Sequence, residues 1–132
     1  MSEREPVYLQ KANESLQGAA NEHSNERYQN SVNRSYYASF QAAVHALLQA
    51  GLVPPAGSFT WSHSSLHALF SGELINRRKL YPPALRSILQ DNYAARQAAD
   101  YSDDFVSSTQ SERAFRRART LVEAIERGAA HR

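Results

Sequence analysis

The sequence predicts an all-α fold, an up-and-down bundle of four to five helices, on three observations. Apolar residues recur at three- and four-residue spacing in five separate segments. No segment alternates apolar and polar residues as a half-buried strand does. Turn-forming residues mark gaps between segments, as in Leu52 to Ser62 with its two prolines and a glycine. The 132 residues form one domain, large enough to bury a core without a disulfide or metal staple. With no cysteine, disulfides, thiolate zinc sites and cysteine nucleophiles are excluded. No apolar run approaches ~18 residues, and the polar start MSEREPVYLQKANES lacks the apolar centre of a signal peptide. A cytoplasmic protein with no membrane contact is therefore expected.

The first helix is expected from about Pro6 to Asn21, and the second from about Asn25 to Ala50, with Gly51 as its terminator. Leu52 to Ser62 is the longest loop, carrying two prolines and a glycine. Ser62 or Ser64 caps a third helix that continues to about Arg78. Pro82 and Pro83 open a fourth, which runs to about Tyr101. After a polar link, Thr109-Gln-Ser-Glu112 has the form of a capping box for a last helix ending near Gly128.

Projected at 100° per residue, the second helix gathers Tyr28, Val32, Tyr36, Phe40, Ala43, Val44 and Leu47 on one broad face. Arg34, Gln41 and His45 form a narrow polar stripe nearly opposite. Such a helix is a central strut, with Tyr36 and Phe40 mainly core. The fourth helix has an apolar face of Leu85, Ile88, Leu89 and Tyr93, and Arg96 projects onto that same face. An unpaired arginine facing a core is costly, so Arg96 must be paired, with Asp100 one turn on, or line a cleft. The fifth helix buries Phe115, Ala118, Leu121, Val122 and Ile125.

Net charge is +2, and 13 of the 15 basic residues are arginine. The positive excess is C-terminal, in Arg77-Arg78-Lys79 and between Arg113 and Arg119. Arginine suits phosphate, but such runs are more often solvated helix faces. Here Glu112–Arg116, Arg119–Glu123 and Glu123–Arg127 are expected to pair at i,i+4.

Motif chemistry is sparse. His63 and His67 share the i,i+4 spacing of a helical metal pair, yet no third ligand stands near and Ser64 replaces the glutamate of H-E-x-x-H, so no metal or other cofactor is assigned. There is no G-x-S-x-G elbow and no glycine-rich phosphate loop. Arginine, histidine and tyrosine remain, side chains able to bind a phosphodiester and move its protons without a metal.

The segment Asn33-Arg34-Ser-Tyr36-Tyr37-Ala-Ser-Phe40-Gln-Ala-Ala43 resembles the N-R-x-Y-Y-A-x-F-x-A-A signature of small prokaryotic HEPN-domain proteins. His63 with Leu66 and Phe70, then Lys79-Leu-Tyr-Pro, follow in that family's order. Arg96-Gln-Ala-Ala-Asp100-Tyr101 looks like its R-x-x-A-D-Y element. The resemblance covers roughly residues 8–127. It implies a helical bundle that forms a homodimer through central helices, and an association with RNA or nucleotide. Many members are metal-independent ribonucleases, often toxins paired with a nucleotidyltransferase antitoxin, whose sites use an R-x(4–6)-H motif in a cleft between subunits.

This sequence departs from that motif: no arginine is followed by histidine at the required spacing, and from Arg96 the permitted positions hold Tyr101, Ser102 and Asp103. The candidate catalytic residues are Arg96 and Tyr101. The candidate cleft or ligand-binding residues are Arg34, Tyr37, His63, Arg96 and Asp100. The favoured reading is an RNA- or nucleotide-binding module, catalytically weak or inactive, acting with a nucleotidyltransferase partner in a toxin–antitoxin-type pair. The alternative is an active metal-independent ribonuclease that uses Arg96 with an unconventional acid or base. A third is a structural adaptor whose Arg96–Asp100 pair only specifies packing.

Overall fold

The computed structural model describes residues 7–55 and 60–130, with the side chains of residues 129 and 130 left aside. Within them lie five α-helices and no strand: α1 (Val7–Ser24), α2 (Tyr28–Gln49), α3 (His63–Leu69), α4 (Arg86–Tyr101) and α5 (Ser108–Ala130). The expected start at Pro6, part of the long loop, and the polar termini lie outside the described residues.

Helix α2 is the strut, packed against α1, α4, α5 and the short α3. Its small residues explain how one helix takes so many neighbours. Ser31, Ser35, Ala38, Ser39, Ala42, Ala43 and Ala46 are all buried, and each lets a facing backbone approach closely. Two of the three hydroxyls are satisfied, Ser31 donating to the Ala19 carbonyl at 2.8 Å and Ser39 to that of Ser35 at 3.0 Å, while the Ser35 hydroxyl finds no partner among the described residues. The expected polar stripe is covered rather than solvated, because α1 lies along it. His45 is buried, Gln41 lies 2.7 Å from Ser15, and only Arg34 stays exposed, draped over Gly18.

The helix ends follow local chemistry, with some shifts from expectation. At the C-terminus of α2, Gly51 takes φ +83°, Leu52 N–H donates to the Leu47 carbonyl and Gly51 N–H to that of Leu48. These are the two bonds of a Schellman motif. Ser62, rather than Ser64, caps α3 in a reciprocal box with Ser65. The third helical segment does not continue as α-helix: a π-helical stretch spans Phe70–Arg77, which widens the turn while Phe70, Leu74 and Ile75 stay buried. A 3₁₀ turn at Pro83–Leu85 precedes α4.

The box at α5 is Ser107 with Gln110, not Thr109 with Glu112. Gln110 N–H donates to Ser107 Oγ at 3.1 Å, and Ser107 N–H to Gln110 Oε1 at 2.8 Å. The chain turns helical two residues earlier than expected because this pair satisfies its first free N–H groups. Gly128 does not end α5. It sits inside the helix because the Tyr81 ring packs on it, 3.1 Å from where a Cβ would stand. The core joins Leu47, Leu66, Phe70, Leu74, Leu89, Leu121 and Ile125, all fully buried. Phe115, expected in this core, is only half-buried beneath the Arg119 guanidinium, 5.4 Å from its ring. Of the three expected ion pairs on α5, only Glu112–Arg116 closes, at 3.6 Å.

Candidate functional site

Three helices bring the site together. From α2, Asn33, Tyr36 and Tyr37 stand at i, i+3 and i+4, on the side facing α4. From α4, Tyr93, Arg96 and Asp100 lie one turn apart in succession. The N-terminus of α3, fixed by its Ser62 cap, presents His63 to the same place.

Arg96 is the centre. Its guanidinium carbon lies 5.2 Å from the Tyr36 ring and 5.6 Å from the Tyr37 ring. Its Nε is 3.6 Å from Asp100 Oδ2, and both side chains are about three-quarters shielded. Asp100 is steadied in turn by Asn33, whose Nδ2 donates to Oδ1 at 3.3 Å. Partial burial over two aromatic faces, worth ~0.5–2 kcal/mol per face, offsets the loss of water around the guanidinium. The two terminal nitrogens make no hydrogen bond with the described residues, so planar donors remain free to grip an anion bidentately. The Oδ1 of Asn33 is shielded from water and also without a partner.

Behind this arginine stands an aromatic stack. His63 lies face to face with Tyr93, ring centroids 3.6 Å apart, and 5.9 Å from His67. The Tyr36 hydroxyl is 3.4 Å from His63 Nδ1. Burial, opposed by Arg96, pushes the Tyr36 phenol up to about 12, so it keeps its proton. Burial, with the charge of His67 added, holds His63 below the usual histidine value, and Gln90 opposes this only in part. The protonation states these environments favour make the hydroxyl the donor and Nδ1 the acceptor. No described atom meets hydrogen-bond geometry at His63 Nε2.

The structure thus unites Arg96, Asp100, Tyr37 and His63 from the sequence candidates. It does not bring Arg34 to them: that side chain sits in the groove between α1 and α2, beside Gly18 and Gln41. Nor does Tyr101 join them, being 77% exposed at the end of α4. Asn33 and Tyr36 stand in the motif of the second helix, Asn33 with no role assigned and Tyr36 expected mainly in the core. What placed them in the site is their i+3, i+4 relation to Tyr37, a signal the helical projection already contained. Among the described residues no group of three or more His, Cys, Asp or Glu side chains is arranged to hold a metal ion. No helix among them is long and apolar enough to cross a membrane.

Compared with known families, residues 6–128 match the model of the HEPN domain. No curated protein matches the chain.

Proposed function

Because the chain belongs to the HEPN family, we propose that it is an RNA- or nucleotide-binding module whose recognition site is the Arg96 cluster, with weak or no cleavage activity of its own. One observation carries this reading. Arg96 is held over Tyr36 and Tyr37, anchored at Nε by Asp100, and its terminal donors are left unused. A structural ion pair needs only the carboxylate. Two supporting rings and idle donors are what recognition of a phosphate needs. Tyr37, 43% exposed beside the guanidinium, adds a face on which a base can stack.

Weak cleavage follows from the missing R-x(4–6)-H histidine and from the exposure of Tyr101 at the end of α4. A phenol is in any case a poor proton shuttle at neutral pH. The partners that fit this reading are a second copy of the chain, placing two Arg96 sites in one cleft, and a nucleotidyltransferase in a toxin–antitoxin-type pair, as the family resemblance implies.

Cleavage has one specific observation in its favour: neutral His63 reaches the Tyr36 hydroxyl, and Tyr36 carries Arg96. That chain supplies an acid or base beside an arginine without the family motif. The two readings part on one experiment. The protein and its Arg96→Ala and His63→Gln variants are incubated with end-labelled total RNA in EDTA, and both retention and fragments are followed. The binding reading predicts retention lost in Arg96→Ala and no fragments from any form. Fragments that vanish in both variants would replace it with the ribonuclease reading. Retention unchanged in Arg96→Ala would remove Arg96 from recognition altogether.

A further inference from the structure

A cavity of about 550 Å³ lies away from Arg96, in the groove between α4 and α5. Its α4 wall is built from Ala94, Ala95, Ala98 and Ala99, small side chains that leave a flat apolar surface. Its α5 wall carries Arg113 and Arg117, like charges one turn apart, neither closing an ion pair within 4 Å among the described residues. Arg117 is held in place: its Nε donates to Asn92 Oδ1 at 2.8 Å. Asn92 is fully buried and donates to Ser39 Oγ and to the Ala114 carbonyl, both at 3.1 Å. A buried amide tied to two other helices therefore fixes one guanidinium at the groove and leaves its terminal donors without a partner among the described residues. At the mouth, on the link from α4 to α5, Phe105 is 98% exposed.

We propose that this groove binds single-stranded RNA, with phosphates on Arg113 and Arg117 and a base stacked on Phe105 above the alanine wall. It is a second contact surface of the RNA-binding reading and rests on that reading. Unpaired arginines beside an exposed aromatic are the pairing used for single strands, since every base has a face to stack. A duplex keeps its bases stacked inside and presents none to Phe105. Asp91 and Asp104 also line the groove. They oppose an acidic peptide, but accept hydrogen bonds from base amino groups and ribose hydroxyls, which RNA brings together with its phosphates. Burial holds the Arg117 guanidinium below its usual value, with Asp91 opposing the shift and the neighbouring Arg113 adding to it.

The test is fluorescence anisotropy with a short labelled oligouridylate and a duplex of equal length, using the wild type, Phe105→Ser, Arg113→Gln and Arg96→Ala. Phe105 and Arg113 are exposed and make no hydrogen bond or ion pair with the described residues, so their replacement leaves the fold intact. Phe105→Ser is expected to weaken single-strand binding about tenfold and to leave duplex binding unchanged. Arg113→Gln is expected to reduce the salt slope of log K by roughly 0.7, one phosphate contact on a single strand. Wild-type affinity and slope in both variants, with binding lost in Arg96→Ala, would overturn the groove and leave the Arg96 reading standing. A wild type that binds neither RNA would overturn both, and displacement of the RNA by polyglutamate as readily as by unlabelled RNA would overturn the groove's selectivity.

Discussion

Replacing Asn92 by alanine tests the junction on which both walls of α4 depend. Its amide is fully buried where α2, α4 and α5 meet, and it makes three hydrogen bonds. The two neutral bonds, to Ser39 Oγ and the Ala114 carbonyl, are worth ~1 kcal/mol each. The bond from the Arg117 guanidinium, with one charged member, is worth ~1.5–3 kcal/mol. Alanine leaves neither neutral partner stranded, since the Ala114 carbonyl still lies within the hydrogen-bonded α5 helix and the Ser39 hydroxyl keeps its bond to the Ser35 carbonyl. The expected loss is therefore about 4 kcal/mol, a large share of the ~5–15 kcal/mol that holds a typical domain together. Urea unfolding followed by far-UV circular dichroism reads it directly. At a slope of ~2 kcal/mol/M, the midpoint should fall by about 2 M with the slope unchanged. A loss below ~1 kcal/mol would refute the reasoning, because it would mean that water or a rearranged Arg117 satisfies the site without the amide.

Other perturbations probe the site and its supports. His63 is held below the usual histidine value when folded, so the unfolded chain binds the extra proton first. Its contribution to stability is complete above ~6.5, the ordinary histidine pKa, and declines as pH falls from there toward the folded value. His63→Phe should flatten that part of the stability–pH curve, and parallel wild-type and variant curves between pH 7 and 5 would contradict the assignment. Gly51 holds φ +83° at the end of α2, so Gly51→Ala should cost ~1 kcal/mol through backbone strain alone, since no atom lies within 4 Å of an added Cβ. An unchanged thermal midpoint would show that the turn relaxes. Ser62→Ala removes both the cap of α3 and the anchor of His63, and should cost ~1 kcal/mol in thermal unfolding. An equal loss in Ser64→Ala would move the cap.

Much of this architecture is readable from periodicity. The apolar stripes of α2 and α4 place the strut and the helix that carries Arg96, and the same wheel that exposes Arg96 as an anomaly puts Asp100 beside it. Capping was harder to locate, because serine and threonine crowd both starts: Ser62 against Ser64, and Ser107 against Thr109, differ only in which neighbour reaches back. Gly128 misled as a terminator since its reason is tertiary, the approach of a Tyr81 ring from a distant turn. The covered stripe of His45 and Gln41 likewise depends on where α1 lies, which one helix's pattern does not encode.

Within the site, Tyr36 illustrates the same limit. Its burial is plain from the wheel, but its place between Arg96 and His63 depends on how α3 enters the bundle. Asn92 was visible in principle, a polar residue four after Ile88 and three after Leu89, in the middle of an apolar stripe. Its partner Arg117 belonged to a run that reads as a solvated face. Only the packing of α5 against α4 turns it toward the groove.

The central claim is that Arg96 recognises a phosphate. Its most direct measurement is the affinity of a labelled RNA for the wild type, Arg96→Lys and Arg96→Ala, each first shown to be folded by circular dichroism. The account predicts progressive weakening, with lysine intermediate because it keeps the charge but loses the planar, ring-supported donors. Equal affinity in all three, together with a stability loss in Arg96→Ala, would contradict it and leave Arg96 and Asp100 as a packing pair.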